Sequence, residues 1–175
     1  MNRTIAAGAV PLPAALQPKA RVPTAVQGAA LSAAVVRSLL LALQHMGAAY
    51  GTGTCWEARI GAALSAVLDL FDERPDVARL CVVQSEWADP VALELRAGAL
   101  DTLARRIDDG RHGAPRQPPP HTAHAVLAGA IGAIRARLIQ PGPETVSDLL
   151  DPLMSLALLP YRGAAAALGR AVPLR

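Results

Sequence analysis

From Ala29 onward, the apolar residues of this sequence recur every three or four positions, in segments bounded by glycine or proline. In the first such segment, Leu39, Leu43 and Met46 show the spacing. This period places apolar side chains on one face of an α-helix, whereas a half-buried strand needs strict alternation. No such alternation occurs over any length of the sequence. Aromatic residues make up only 3% of the chain, so the core must be aliphatic. The pattern therefore predicts an all-α bundle of about six to seven helices.

Glycine, proline and capping residues set the predicted helix ends. Pro75 ends one helix and begins the next, and Asp89 followed by Pro90 supplies an N-cap and a first-turn proline. Pro152 is expected to split or restart the sixth helix, with Asp151 as its cap. A short alanine-rich terminal helix is expected after Pro160. The six main helices are predicted at about 29–49, 56–73, 75–88, 90–110, 121–139 and 144–159.

The N-terminal segment has a different composition from the rest of the chain. Residues 1–27 are rich in alanine and contain four prolines, which block a continuous helix. We therefore predict an extended or disordered leader at 1–27 and a helical domain at 28–175. The leader faintly resembles a signal peptide, but Pro11 and Pro13 interrupt its apolar run. A cytoplasmic protein is expected, with a small secreted helical protein as the alternative.

The net positive charge of the chain comes from the leader. The net charge is +3, and the first thirty residues carry Arg3, Lys19 and Arg21 without any acidic residue. The remaining residues hold 14 arginines and 14 acidic residues, so they carry no net charge. Binding to duplex DNA needs a concentrated basic surface, which this sequence does not predict. No run of about 20 predominantly apolar residues is evident, so no contact with a membrane is expected.

No arrangement of residues typical of a catalytic site is present in the sequence. It lacks the serine-hydrolase elbow GxSxG, a phosphate-binding loop, the zinc motif HExxH and any CxxC pair. His121 and His124 have a metal-like spacing, but a solvated helix start explains them better. Cys55 and Cys81 are expected to be inert thiols. We predict that the protein is not an enzyme and needs neither cofactor nor metal.

The fifth predicted helix has two apolar stripes, one of bulky residues and one of small residues. Burial on both sides of a helix requires two partners, and the sixth helix is also apolar almost all round. A two-fold homodimer with a four-helix interface would cover the surplus surface. The alternative is a monomer in which the terminal helix covers it. The predicted interface comprises Ala125, Gly129, Gly132, Ala136, Leu150, Met154 and Leu158.

Three motifs resemble the ligand-binding and dimerisation domains of transcriptional regulators of the tetracycline-repressor (TetR) type. They are Trp56-Glu57-Ala58-Arg59, the run from Arg74 to Leu80, and Leu159-Pro160-Tyr161-Arg162-Gly163. The resemblance spans about 29–170. It implies that the helices from 29 to 110 enclose an apolar effector cavity and that those from 121 to 159 dimerise. The family begins with a DNA-reading head of roughly 45–50 residues, and fewer than about thirty precede the first helix here. Direct DNA binding by this chain alone is therefore not expected.

The resemblance and the lack of catalytic groups predict a sensor of a small hydrophobic effector. Gln84 is the most informative of the expected lining residues, since its amide can form hydrogen bonds with a ligand. Two alternatives are a helical interaction module without a ligand and a heterodimer partner of a full-length regulator. The predicted lining residues are Leu43, Leu64, Leu68, Cys81, Gln84, Trp87, Leu103 and Ile107.

Overall fold

The computed structural model describes residues 25–140 and 142–164, and this part of the chain is helical without any strand. The predicted all-α fold is confirmed. The first helix begins at Ala25, slightly before the predicted end of the leader, and residues 1–24 lie outside the described part. The helices are α1 (Ala25–Tyr50), α2 (Trp56–Glu73), α3 (Pro75–Arg79), α4 (Pro90–Asp108), α5 (Thr122–Ile139) and α6 (Leu150–Arg162).

The main core lies where α1, α2, α3 and α5 meet. Leu68 and Phe71 of α2 pack there with Ala42 of α1, Val77 of α3 and Ile134 of α5. Phe71 is the one aromatic residue in this cluster of described residues, so the core is aliphatic as predicted. Burying such side chains stabilises the fold by about 1.5–3 kcal/mol each.

The chain after α3 changes its helical type twice. Residues Leu80–Gln84 form a π-helical turn, and Ser85–Trp87 form a 3-10 turn. The sequence predicted one continuous α-helix over 75–88, and this prediction is wrong because only its first part is α-helical. The Ser85 side chain is fully buried, and its hydroxyl donates a hydrogen bond to the carbonyl of Cys81 at 2.7 Å. As predicted, Asp89 caps α4, since its carboxylate accepts the amide of Ala92 at 2.9 Å.

The ends of α6 differ from the prediction. Pro152 lies in the first turn of the helix, where its missing amide hydrogen is not needed, so it does not split the helix. The helix continues through Pro160 to Arg162 and ends at Gly163, which has a positive φ of 80°. The expected terminal helix falls mostly on residues 165–175, outside the described residues.

A carboxylate on α2 holds the segment that leads into α6. Asp72 accepts hydrogen bonds from the backbone amides of Val146 at 2.7 Å and Ser147 at 2.9 Å, and from the Ser147 hydroxyl. These bonds satisfy amides at the start of a helical turn that would otherwise lack partners. Asp72 therefore fixes the beginning of α6 against the end of α2.

Within the described residues, two helices are long and apolar enough to cross a bilayer by length and composition. They are Gln27–Tyr50 within α1 and Thr122–Ile139, which is α5. The sequence-based expectation that no stretch has this property was too strict. In the structure, both helices contribute side chains to the core, α1 through Ala42 and α5 through Ile134.

Candidate ligand cavity and exposed helical face

Two adjoining cavities lie between α1, α2, α4 and α5. Their volumes are about 60 Å³ and about 110 Å³. The smaller cavity also reaches α6, and the larger also reaches the π-helical turn through Cys81 and Val82. The two cavities are neighbours that share wall residues, and we refer to the pair together as the channel. The shared residues are Met46, Leu64, Leu103, Leu127 and Ala130.

Several of the predicted lining residues do line this channel. Leu43 and Cys81 contact the larger cavity, and Ile107 contacts the smaller one. Leu64 and Leu103 line both. Leu68 was also predicted, but its side chain is fully buried in the core and does not reach the channel.

The prediction of Gln84 and Trp87 as lining residues is wrong. Gln84 lies in a surface groove beside Leu138 and Ile139, and the Trp87 side chain is 73% exposed. A π turn closes with hydrogen bonds five residues apart, so it shifts the angular position of the residues that follow. The sequence prediction assumed a continuous α-helix and therefore placed both side chains on the inner face.

Almost the whole wall of the channel is hydrocarbon. Among the described residues that line it, polar groups occur only in Tyr50, Cys81, Arg96 and Arg106, besides the thioether of Met46. Burial raises the pKa of the Cys81 thiol to about 12, so this group stays neutral and unreactive at physiological pH. The channel therefore favours an apolar ligand.

The arginines at the channel were not among the predicted site residues. Arg96 precedes Leu100 and Leu103 on α4 by four and seven positions, which places the three on one helix face. This spacing, which is visible in the sequence, indicates that Arg96 lies on the same face as the two leucines. The structure places Arg96 at the wall of the larger cavity.

Tyr50, the last residue of α1, lines the smaller cavity. Its ring lies under the guanidinium of Arg106, 4.9 Å from the ring centroid, and Arg59 lies 5.9 Å away. Its hydroxyl donates to the carboxylate of Asp109 at 3.4 Å. Burial and the neighbouring Asp109 charge raise the pKa of Tyr50. Tyr50 and Arg106 thus already have partners within the protein.

The first and last of the three motifs meet in space at the same end of the bundle. Trp56 donates its indole Nε1–H to the carbonyl of Arg106 at 3.1 Å, and its ring lies edge-on to Tyr161 at 5.3 Å. The Arg162 guanidinium stacks on Trp56 at 5.1 Å and pairs with Glu57. These contacts join α2, α4 and α6 beside the smaller cavity.

The predicted interface residues on α5 are exposed, whereas those on α6 are partly or fully buried. Ala125, Gly129, Gly132 and Ala136 are exposed and form a stripe of small side chains along α5, which we call the α5 stripe. Leu150 is half-buried.

Two residues of α6 were assigned to the interface wrongly. Met154 is 4% exposed and Leu158 is 1% exposed, because both pack inside the chain with Ile60 of α2. A helix that is apolar almost all round does not reveal from its sequence which face turns inward. The outward face of α6 instead carries Leu159, which is 50% exposed.

The histidines at the start of α5 form no cluster with enough ligands for a metal. His124 Nε2 lies 3.2 Å from Asp101, and the ring of His121 is 6.2 Å from that of His124. No group of three potential ligands occurs among residues 25–140 and 142–164. The arrangement agrees with a solvated helix start.

Neither protein-family models, nor curated proteins, nor solved structures give a significant match to this chain.

Proposed function

We propose that this chain is a ligand-sensing and dimerisation domain of a TetR-like transcriptional regulator, with a channel that binds a small apolar molecule. The pair of adjoining apolar cavities carries this proposal. Protein interiors are normally packed to the density of organic crystals, with few voids larger than a water molecule. An apolar cavity of roughly 150 Å³ in another protein stays dry and binds benzene, so voids of this order can hold small ligands.

The size of the channel limits what can bind without movement. The larger cavity holds about 110 Å³ and the smaller about 60 Å³, whereas sites for drug-sized ligands span about 300–1,000 Å³. The ligand is therefore small or slender, or it enters as flexible wall side chains such as Met46 change rotamer.

The position of α5 connects the channel with the outer surface. Leu127 and Ala130 line the channel, while Gly132 faces outward on the same helix. A ligand that shifts α5 would change the surface offered to a second copy, and so favour one dimer geometry over another. This coupling is the physical basis of the proposed sensing.

The α5 stripe is the proposed contact with a second copy. Small side chains allow two helices to approach closely, and a Cβ atom at Gly132 would meet no atom within 4 Å. The exposed Ile139 and Leu159 add apolar surface at α5 and α6. A two-fold arrangement that buries this face on both copies is the simplest closed assembly.

Binding can be tested with 1-hexanol and 1-decanol as neutral apolar probes, by calorimetry and thermal shift. Ala130→Leu fills the channel, whereas Ala128→Leu adds the same side chain at an exposed site of α5. The proposal expects binding by the wild type and by Ala128→Leu, and its loss in Ala130→Leu. Absence of binding, or equal binding by all three proteins, would overturn it.

The dimer can be tested by sedimentation equilibrium. Gly132→Arg places a charged side chain on the α5 stripe, and Gly98→Arg makes the same change at an open site of α4. We expect Gly132→Arg to sediment as a monomer under conditions where the wild type and Gly98→Arg are dimers. A wild type that stays monomeric at high concentration contradicts this part of the proposal.

A second candidate function is a helical interaction module without a ligand. The observation that favours it is a pair of exposed apolar side chains near the start of α4, Trp87 at 73% and Val91 at 74% exposure. An exposed tryptophan of this kind is common at protein interfaces. Failure of every apolar probe together with loss of a protein contact in Trp87→Ala would favour this function.

A further inference from the structure

We propose that the channel binds an elongated aliphatic molecule with an anionic head, and that Arg96 holds the head while the tail lies between α4 and α5. This inference rests on the proposed ligand-sensing function and names the class of ligand. Four observations support it. Arg96 has no partner among the described residues, and the cavity walls are almost entirely apolar. The lining residues extend along α4, and Arg106 already has partners.

Within the described part of the chain, Arg96 is a cation without a partner at the edge of an apolar space. Its side chain is half-buried and lines the larger cavity. No hydrogen bond or ion pair of Arg96 occurs within the described residues, and Glu94 and Asp101 of the same helix are both exposed. A partly buried guanidinium gains most from a carboxylate or phosphate, which accepts two parallel N–H···O bonds.

The remainder of the wall discriminates against other polar ligands. The described residues around the channel include no carboxylate, amide or imidazole, and the one hydroxyl, on Tyr50, is bonded to Asp109. A cationic ligand would find no counter-charge, and a ligand rich in hydroxyl groups would leave them without partners, which is costly in an apolar site. One anionic head and an apolar body fit the composition.

The shape of the channel favours a chain over a ring system. Arg96, Leu100, Leu103 and Ile107 follow one face of α4, and the helix rises about 16 Å between the first and the last of them. Along that length the two cavities have volumes of only about 110 Å³ and about 60 Å³. Two small cavities side by side along this face suit an unbranched tail.

The two arginines of the channel have different roles. Arg106 already stacks on the Tyr50 ring at 4.9 Å, and its carbonyl accepts the Trp56 indole. Arg96 makes no such contact with any residue that the structure describes. The head therefore lies at Arg96, and the tail points toward Ile107 and Val126 in the smaller cavity.

The inference is tested with three ten-carbon probes that differ only in their heads: decanoate, 1-decanol and decyltrimethylammonium. Dissociation constants are measured by calorimetry at low and high salt for the wild type, Arg96→Gln and Arg105→Gln. Arg105 is the matched control because it lies on α4, is exposed and does not line the channel. One charge-assisted pair predicts that the wild type prefers decanoate over decanol by about tenfold or more.

The variants separate this inference from the proposed function. Arg96→Gln is expected to abolish the preference for decanoate while leaving the affinity for decanol, and Arg105→Gln is expected to keep the wild-type preference. Equal binding of decanoate and decanol by the wild type, or an unchanged preference in Arg96→Gln, overturns the inference and leaves the proposed function intact. If none of the three probes binds, the proposed function fails as well.

Discussion

The hydroxyl of Tyr161, in the last turn of α6, donates a hydrogen bond to the carboxylate of Asp108 at the end of α4, across 3.2 Å. Arg111 donates to the same carboxylate through Nε and Nη2, the latter at 2.8 Å. The hydrogen bond from Arg111 lowers the pKa of Asp108 in spite of its partial burial. Burial, together with the Asp108 charge, raises the pKa of Tyr161 to about 12, so the phenol remains a donor at physiological pH.

Removal of the Tyr161 hydroxyl is predicted to destabilise the fold by about 1 kcal/mol, because Tyr161→Phe keeps the buried ring and loses one hydrogen bond to a charged acceptor. Tyr50→Phe is the control, since its hydroxyl contacts Asp109 at the longer distance of 3.4 Å in an exposed position. Urea unfolding should show a loss of less than about 0.5 kcal/mol for Tyr50→Phe. A larger loss in Tyr50→Phe than in Tyr161→Phe would contradict this ranking.

Asp72→Asn is predicted to weaken the junction between α2 and α6 by about 1 kcal/mol, because one acceptor oxygen becomes an amide donor and a hydrogen-bond donor of the segment loses its partner. The asparagine keeps one acceptor oxygen but loses the charge that the backbone amides of Val146 and Ser147 and the Ser147 hydroxyl solvate. Burial of Asp72 raises its pKa, but hydrogen bonds from Ser147 and Val146 outweigh this effect, so the pKa is lower than the ordinary value of 3.8.

The sign of the pH dependence follows from that lowered pKa. The folded protein binds the Asp72 proton more weakly than the unfolded protein does, so the stabilisation is complete above the ordinary pKa. It is lost as the pH falls below 3.8 and through the lower folded value. Unfolding measured between pH 7 and pH 2.5 should show a smaller acid-induced loss in Asp72→Asn than in the wild type. Glu73→Gln, at an exposed neighbouring position, should follow the wild type.

The sequence predicted the fold because apolar spacing and proline positions act locally. The start of α2 at Trp56 and the cap at Asp89 lie where the sequence placed them. The error at residues 80–87 has a different origin. A π turn gives poorer local geometry than an α-helix and is adopted because of packing around it, such as the burial of Ser85. Tertiary contacts of this kind leave no periodic signal.

The site was predictable only in part for the same reason. Residues on strongly one-sided helices, such as Leu43 and Leu103, were placed correctly at the channel. Met154 and Leu158 were not, because α6 is apolar on several sides and its orientation depends on Ile60 of α2. The register of Arg96 with Leu100 and Leu103 can be read from the sequence, but the cavity that this face lines is visible only after the helices have been assembled.

Gly110→Ala is predicted to destabilise the fold by about 1–3 kcal/mol through overpacking. A Cβ atom at this buried glycine would lie closer to atoms of the Trp56 ring than van der Waals contact allows. The ring is itself held by Tyr161 and Arg162. Gly98→Ala, in the open middle of α4, should instead stabilise by about 0.5–1 kcal/mol because alanine favours helix. Thermal unfolding of both variants checks the opposite signs, and a stabilised Gly110→Ala would show that Trp56 is free to move.

Two leucines separated by one turn of α2 distinguish the solid core from the channel. Leu68 is fully buried among core residues, so Leu68→Ala should cost about 2–5 kcal/mol through lost contacts and a new cavity. Leu64 already faces empty space, so Leu64→Ala should cost less and should widen the channel. Urea unfolding compares the two losses, and benzene added as a ligand should raise the melting temperature of Leu64→Ala more than that of the wild type. Equal destabilisation, with no added response to benzene, would mean that the space beside Leu64 closes when the side chain is removed and is not a persistent channel.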